Sequence, residues 1–114
     1  MRHRDKTALQ KISSVIDEIT EILKNVSKEE FLINNTLKLA TGMSIIRIGE
    51  LVETLTMEFR DNQKQIAWKD IAGFRDIAAH KYDIIDMEEM YDTIKNELPE
   101  LKFQIEKILA DDSA

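Results

Sequence analysis

The sequence predicts an all-α fold, an up-and-down four-helix bundle, and three observations carry that expectation. Only three glycines and one proline interrupt 114 residues, too few breakers for a turn-rich β fold. Apolar residues near both ends of the chain recur in alternating steps of three and four, the period of one helix face. Polar and capping stretches divide the apolar runs into four main helices with short connections. Hydrophobic residues make up 43% and charged residues 33%, which suits one core in a single domain spanning residues 1–114 and argues against disorder or membrane spans.

In chain order, Met1 to Arg4 reads as a short basic start, with His3 in a disordered tail. The first helix carries Leu9, Ile12, Ile16, Ile19, Leu23 and Val26, widened by Val15 and Ile22, a stripe of about five turns. Both charge signs stand opposite it, so the stripe reads as bundle core and not as a membrane face. Ser27-Lys28-Glu29-Glu30 forms a capping box, with reciprocal side-chain bonds between Ser27 and Glu30. A second helix is expected from there to about Glu58, burying Phe31, Leu37, Ala40, Ile45, Ile48, Leu51, Val52 and Leu55 on one broad face. Gly42 and Gly49 lie within it and each costs about 1 kcal/mol against Ala. Gly49 beside Glu50 predicts a close helix approach, with Glu50 reaching the Arg75 region.

Arg60 to Gln65 contains no apolar residue and reads as a loop. Trp68 to Ala79 reads as the third, shorter helix, with Trp68, Ile71, Phe74 and Ala78 as its buried stripe. Asp83 to Asp86 forms a turn, and Asp86 caps an acidic first turn. In the last segment Met87, Tyr91, Ile94, Leu98, Leu101, Ile105 and Ile108 keep one register straight through Pro99. One continuous helix, kinked or split at Pro99, is therefore expected. Asp111 to Ala114 is expected to fray.

Chemistry concentrates in Arg75-Asp76-Ile77-Ala78-Ala79-His80-Lys81-Tyr82, which holds one of two histidines and one of two tyrosines. Asp76 and His80 are four residues apart and share a helix face, so the carboxylate can fix the imidazole tautomer and leave the other nitrogen free for proton transfer. Arg75 is the natural clamp for a phosphate. It lies five residues before His80, well apart around an ideal helix, so one site needs either a helix end near His80 or a second chain. A phosphate clamp beside an imidazole suits RNA cleavage, where the ribose hydroxyl is the nucleophile and no metal is required. Lys81 could add to RNA binding and Tyr82 could donate to phosphate or gate the rim.

Composition narrows the alternatives. Cysteine is absent, which leaves no disulfide framework or thiolate metal site. The net charge of −6 argues against a nucleic-acid coat protein, but an RNase needs only a local cationic site, and an acidic surface limits non-specific RNA binding. No apolar leader and no run of about 20 apolar residues is present, which predicts a cytoplasmic location without a membrane partner. His80, Asp83, Asp86 and Glu89 could be read as a metal set, but they fall across a turn and capping accounts for the acids. No metal or cofactor is expected.

Arg75, His80 and Tyr82 form Arg-x4-His-x-Tyr, which resembles the signature of the HEPN superfamily and specifically the HepT-like toxins. Trp68 to Phe74 resembles the run leading into that motif, Ile48-Gly49-Glu50 the second-helix signature, and Leu98-Pro99-Glu100-Leu101 the opening of the last helix. The family often has Asn where Asp76 stands. The resemblance implies a metal-independent endoribonuclease toxin, dimeric, with the two motifs facing each other in a cleft. It implies Arg75, His80 and Asp76 as catalytic residues. It also implies a minimal nucleotidyltransferase antitoxin that attaches AMP to the motif tyrosine, here Tyr82.

Two other readings use the same residues. One is a non-catalytic HEPN-type module that binds nucleotide or RNA through Arg75 and Lys81, or only a partner protein. The other is a structural dimer, in which His80 merely complements a helix C-terminus and Asp76–His80 is a surface pair.

Overall fold

The computed structural model describes residues 1–113 of the chain. It is all-helical, with no strand among the described residues. Its α-helices are α1 (His3–Ile22), α2 (Lys28–Leu32), α3 (Asn35–Glu53), α4 (Met57–Asn62), α5 (Trp68–His80), α6 (Met87–Asp92) and α7 (Leu98–Ser113). A 3-10 turn at Tyr82–Ile84 follows α5, and a π-helical segment at Thr93–Glu97 joins α6 to α7 without a break.

The α1 stripe forms the centre of the core. Leu9, Ile12, Val15, Ile16 and Ile19 are all buried, and they pack against α3 and α7. Each such side chain contributes about 1.5–3 kcal/mol relative to exposure. The helix starts at His3, not after a disordered tail, because its first turn is anchored to the α3–α4 corner. Buried Asp5 accepts hydrogen bonds from the Thr56 amide at 2.7 Å and the Thr56 hydroxyl at 2.8 Å, and Arg4 Nε donates to the Thr54 carbonyl at 2.6 Å. At the other end α1 has no basic residue in its last turn. Lys95 supplies the cation from the π-helical segment, donating to the Leu23 carbonyl at 2.7 Å. Asn25 then turns the chain with a φ of 62°, a left-handed conformation that Asn tolerates.

The Ser27–Glu30 capping box forms as expected. The helix it starts is only one turn long, however, because Asn34 accepts a hydrogen bond from the Leu37 amide at 3.1 Å and begins a new helix. The expected helix to about Glu58 thus becomes three. α3 stops at Glu53, where the Thr54 hydroxyl donates to the Leu51 carbonyl, and Thr56 caps α4. Because α4 extends through Asn62, the expected loop at Arg60 to Gln65 begins only at Gln63. Trp68 closes that loop by donating from Nε1 to the Gln63 carbonyl at 3.0 Å.

α5 begins at Trp68 and ends at His80, packed mainly on α3. Trp68 and Ala78 are buried, as expected. Ile71 and Phe74 are only half-buried, because they line a cavity of about 680 Å³ between α5 and the last helix. Asp86 caps α6, its Oδ1 accepting from the Glu88 and Glu89 amides as expected. Pro99 neither splits nor ends the last helix. Proline removes one N–H and its ring crowds the carbonyl four residues back. The π turn ends immediately before it, with the Leu98 amide donating to the Thr93 carbonyl five residues back, and this wider turn shifts the backbone register where the ring needs room. The helix continues through Ser113, and Ala114 lies outside the described residues.

Candidate active site

Two glycines on α3 place the motif. Gly42 and Gly49 are seven residues apart and so lie on one helix face, and both are buried. A Cβ on Gly49 would overlap Arg75 Cβ and Cγ and would stand 3.4 Å from Arg75 Cα. A Cβ on Gly42 would stand 2.9 Å from Tyr82 Cε2. The backbone of α5 at Arg75 therefore rests directly on α3, and the Tyr82 ring fills the space that Gly42 leaves. The close approach expected at Gly49 is present. The role of Gly42 went unread, because nothing local in the sequence pairs it with Tyr82.

Arg75 keeps a quarter of its side-chain surface exposed. Its Nη1 donates to Asp76 Oδ1 at 2.9 Å, while its Nε is buried without a partner. The Asp76 hydrogen bond raises the guanidinium pKa above its ordinary value against the opposing effect of burial, and the charges of Glu53, Asp76 and Glu50 add to the rise. Glu50 thus reaches the Arg75 region electrostatically, as expected. Glu53, also on α3, acts more strongly. Arg47 is turned elsewhere and pairs with Glu18 at 3.5 Å.

His80 is the last residue of α5, exposed, with no side-chain hydrogen bond among the described residues. The expected Asp76–His80 bond is not formed. Asp76 takes Arg75 instead, since a charge-assisted bond to a guanidinium is stronger than one to a neutral imidazole. Lys81 is exposed, and its amide closes α5 on the Ile77 carbonyl at 2.8 Å. Tyr82 is half-buried with its hydroxyl buried and unpartnered. Burial raises its phenol pKa, and the Asp83 charge adds to the effect. Around the motif, Leu39, Met43, Ile77 and Ile84 leave apolar side chains exposed.

An arginine seated on a glycine, with a histidine at the end of the same helix, supplies groups whose chemistry can hold a phosphate and move a proton. Comparison with known proteins agrees on the family. The model of the family described as "Ribonuclease HepT-like" matches residues 12–108. The chain belongs to the HepT-like ribonuclease family of the HEPN superfamily. A protein of Methanocaldococcus jannaschii named "Putative RNase" is 36% identical to this HepT-like chain over 112 residues, covering 97% of the chain and 93% of the relative. A protein of Caldanaerobacter subterraneus with the same designation is 36% identical over 101 residues, covering 89% and 90%. The "Probable ribonuclease HepT" of Thermococcus cleftensis is 28% identical over 108 residues, covering 95% and 98%. No solved structure matches the HepT-like chain significantly. No helix among its described residues is long and apolar enough to cross a membrane.

Proposed function

We propose that this chain is a metal-independent endoribonuclease, the toxin of a toxin–antitoxin pair, acting as a homodimer in the cytoplasm. The observation that carries the reading is the pairing of a glycine-seated Arg75 with an exposed, unbonded His80 on one helix. The ribose 2′-hydroxyl oxygen attacks the adjacent phosphorus. A new P–O2′ bond forms as the P–O5′ bond breaks, leaving a 2′,3′-cyclic phosphate and a 5′-hydroxyl. His80 takes the hydroxyl proton, and a second His80 protonates the leaving oxygen. Arg75 binds the phosphate and stabilises its developing charge, with Lys81 adding to RNA binding.

Helix geometry supports a dimer, although α5 also ends at His80, the other arrangement that could bring the two groups into one site. Residues five apart on a continuous helix project about 140° apart around its axis, so Arg75 and His80 of one chain diverge. A second copy brings a His80 to the first copy's Arg75, and the exposed Leu39, Met43, Ile77 and Ile84 supply apolar surface for that contact. The proposed control is AMP transfer to Tyr82 by a minimal nucleotidyltransferase antitoxin. The ring must first leave Gly42 to expose its buried hydroxyl, and the added bulk and negative charge then keep the ring from returning.

The test is cleavage of a labelled RNA pool in EDTA by protein whose mass shows Tyr82 unmodified. Cyclic-phosphate products are expected, with His80→Ala losing about 10²–10⁴-fold of rate. RNA that is bound but left intact by the wild-type chain would replace the nuclease with a non-catalytic binding module.

A further inference from the structure

The Arg75 guanidinium is not free to receive a phosphate as it stands. A guanidinium offers two bidentate edges, Nε with Nη2 and Nη1 with Nη2. The first is closed, because Nε is buried. The second is engaged at one corner, because Nη1 already donates to Asp76 Oδ1 at 2.9 Å. Asp76 is 61% exposed and adjacent in sequence, so its carboxylate can swing away from Arg75 without unfolding α5. Glu50 and Glu53 on α3 add negative charge to the same guanidinium.

We propose that Asp76 is a tethered stand-in for the substrate phosphate on Arg75, a positioning residue that must be displaced before RNA binds. The inference rests on reading Arg75 as the phosphate-binding group. It assigns Asp76 a part different from orienting His80. While no RNA is bound, Asp76 holds the guanidinium with its charge compensated, and the base of the Arg75 side chain rests on Gly49. When RNA arrives, the phosphate replaces the carboxylate on the Nη1–Nη2 edge, and Asp76 turns to solvent. The arrangement raises the threshold for binding: a lone phosphate competes poorly with a carboxylate that is already in place, whereas a chain of phosphates also engaging Lys81 and the second copy displaces it. A toxin of this design discriminates against free phosphate and short fragments.

The test separates binding from cleavage by using a 2′-O-methylated oligoribonucleotide, which has no free 2′-hydroxyl and cannot be cut. Its affinity is measured by fluorescence anisotropy at low salt for the wild-type chain, Asp76→Asn, Asp83→Asn and Asp76→Asn combined with Arg75→Ala. Asp76→Asn is expected to bind tighter by on the order of threefold to tenfold, consistent with an exposed ion pair. Asp83→Asn makes the same charge change nearby without touching Arg75 and should gain less than half as much. The gain should vanish when Arg75 is also removed. Equal gains for the two single variants, or no gain for Asp76→Asn, overturn the proposal. So does a change in the His80 ring-nitrogen shifts of Asp76→Asn at unaltered affinity, which would mark Asp76 as a tautomer-setting residue. Tighter binding by Asp76→Asn with natural RNA left uncut by both proteins supports the tethered carboxylate and removes the nuclease.

Discussion

Gly49→Ala tests whether the α3–α5 contact builds the site. The new methyl overlaps Arg75 Cβ and Cγ and stands 3.4 Å from Arg75 Cα. Cβ is fixed to the backbone, so no rotation of Arg75 relieves the overlap and α5 itself must move away. Overpacking of this kind costs about 1–3 kcal/mol, while Ala in place of helical Gly returns about 1 kcal/mol. Gly73→Ala is the matched control, since a Cβ there meets nothing within 4 Å and should stabilise α5 by about 1 kcal/mol. The propensity gain cancels in the comparison, leaving Gly49→Ala about 1–3 kcal/mol less stable than Gly73→Ala. At about 4 °C per kcal/mol, thermal unfolding followed by circular dichroism resolves the difference. Cleavage should separate them further, because displacing a substrate-positioning group by about 1 Å can cost about 10²-fold. If Gly49→Ala melts as high as Gly73→Ala and cuts RNA at the wild-type rate, the contact does not position Arg75.

Three further perturbations probe other parts of the chain. Tyr82 has a raised phenol pKa from burial, so above about pH 10 the unfolded chain gives up this proton before the folded one and stability falls as pH rises. Urea midpoints between pH 9 and 11 should fall less steeply for Tyr82→Phe, which should be as stable as wild type or slightly more at neutral pH, because the lost hydroxyl is buried without a partner. Asp5→Ala should cost about 1–3 kcal/mol in urea unfolding by leaving the Thr56 amide without its acceptor. Ile16→Ala, at 1% exposure on the core face of α1, should cost about 2–5 kcal/mol in the same assay.

The contrast between helix faces and helix ends explains what was legible in the sequence. The α1 stripe was readable because six apolar residues repeat one period and a single face must be buried. The α5 limits were readable because Trp68 and His80 bracket a compact apolar pattern with a polar loop before it and a turn after it. The split of the second helix was not, because it hangs on Asn34 and Thr56 choosing caps over helix interior, a local competition that periodicity does not register. The ordered start of α1 was hidden for a related reason. Asp5 is held by Thr56, 51 residues away, and no pattern near Asp5 announces that partner.

The site follows the same division. Its chemical groups were visible as residue types, but their partners were set by tertiary contact. Spacing alone favoured Asp76 with His80, since residues four apart share a face. The structure favours Asp76 with Arg75, because the long guanidinium reaches back to its neighbour and carries a full charge. That substitution of partners frees the imidazole and loads the guanidinium, so the two groups begin in opposite conditions: His80 available, Arg75 engaged. Gly49 explains why this does not let Arg75 wander. The backbone at Arg75 is pressed onto α3, so losing the Asp76 bond releases the end of the side chain while its base stays in place. A phosphate that displaces Asp76 therefore meets a side chain already anchored at Cβ and Cγ, and part of the entropy of ordering it is met by folding before RNA arrives.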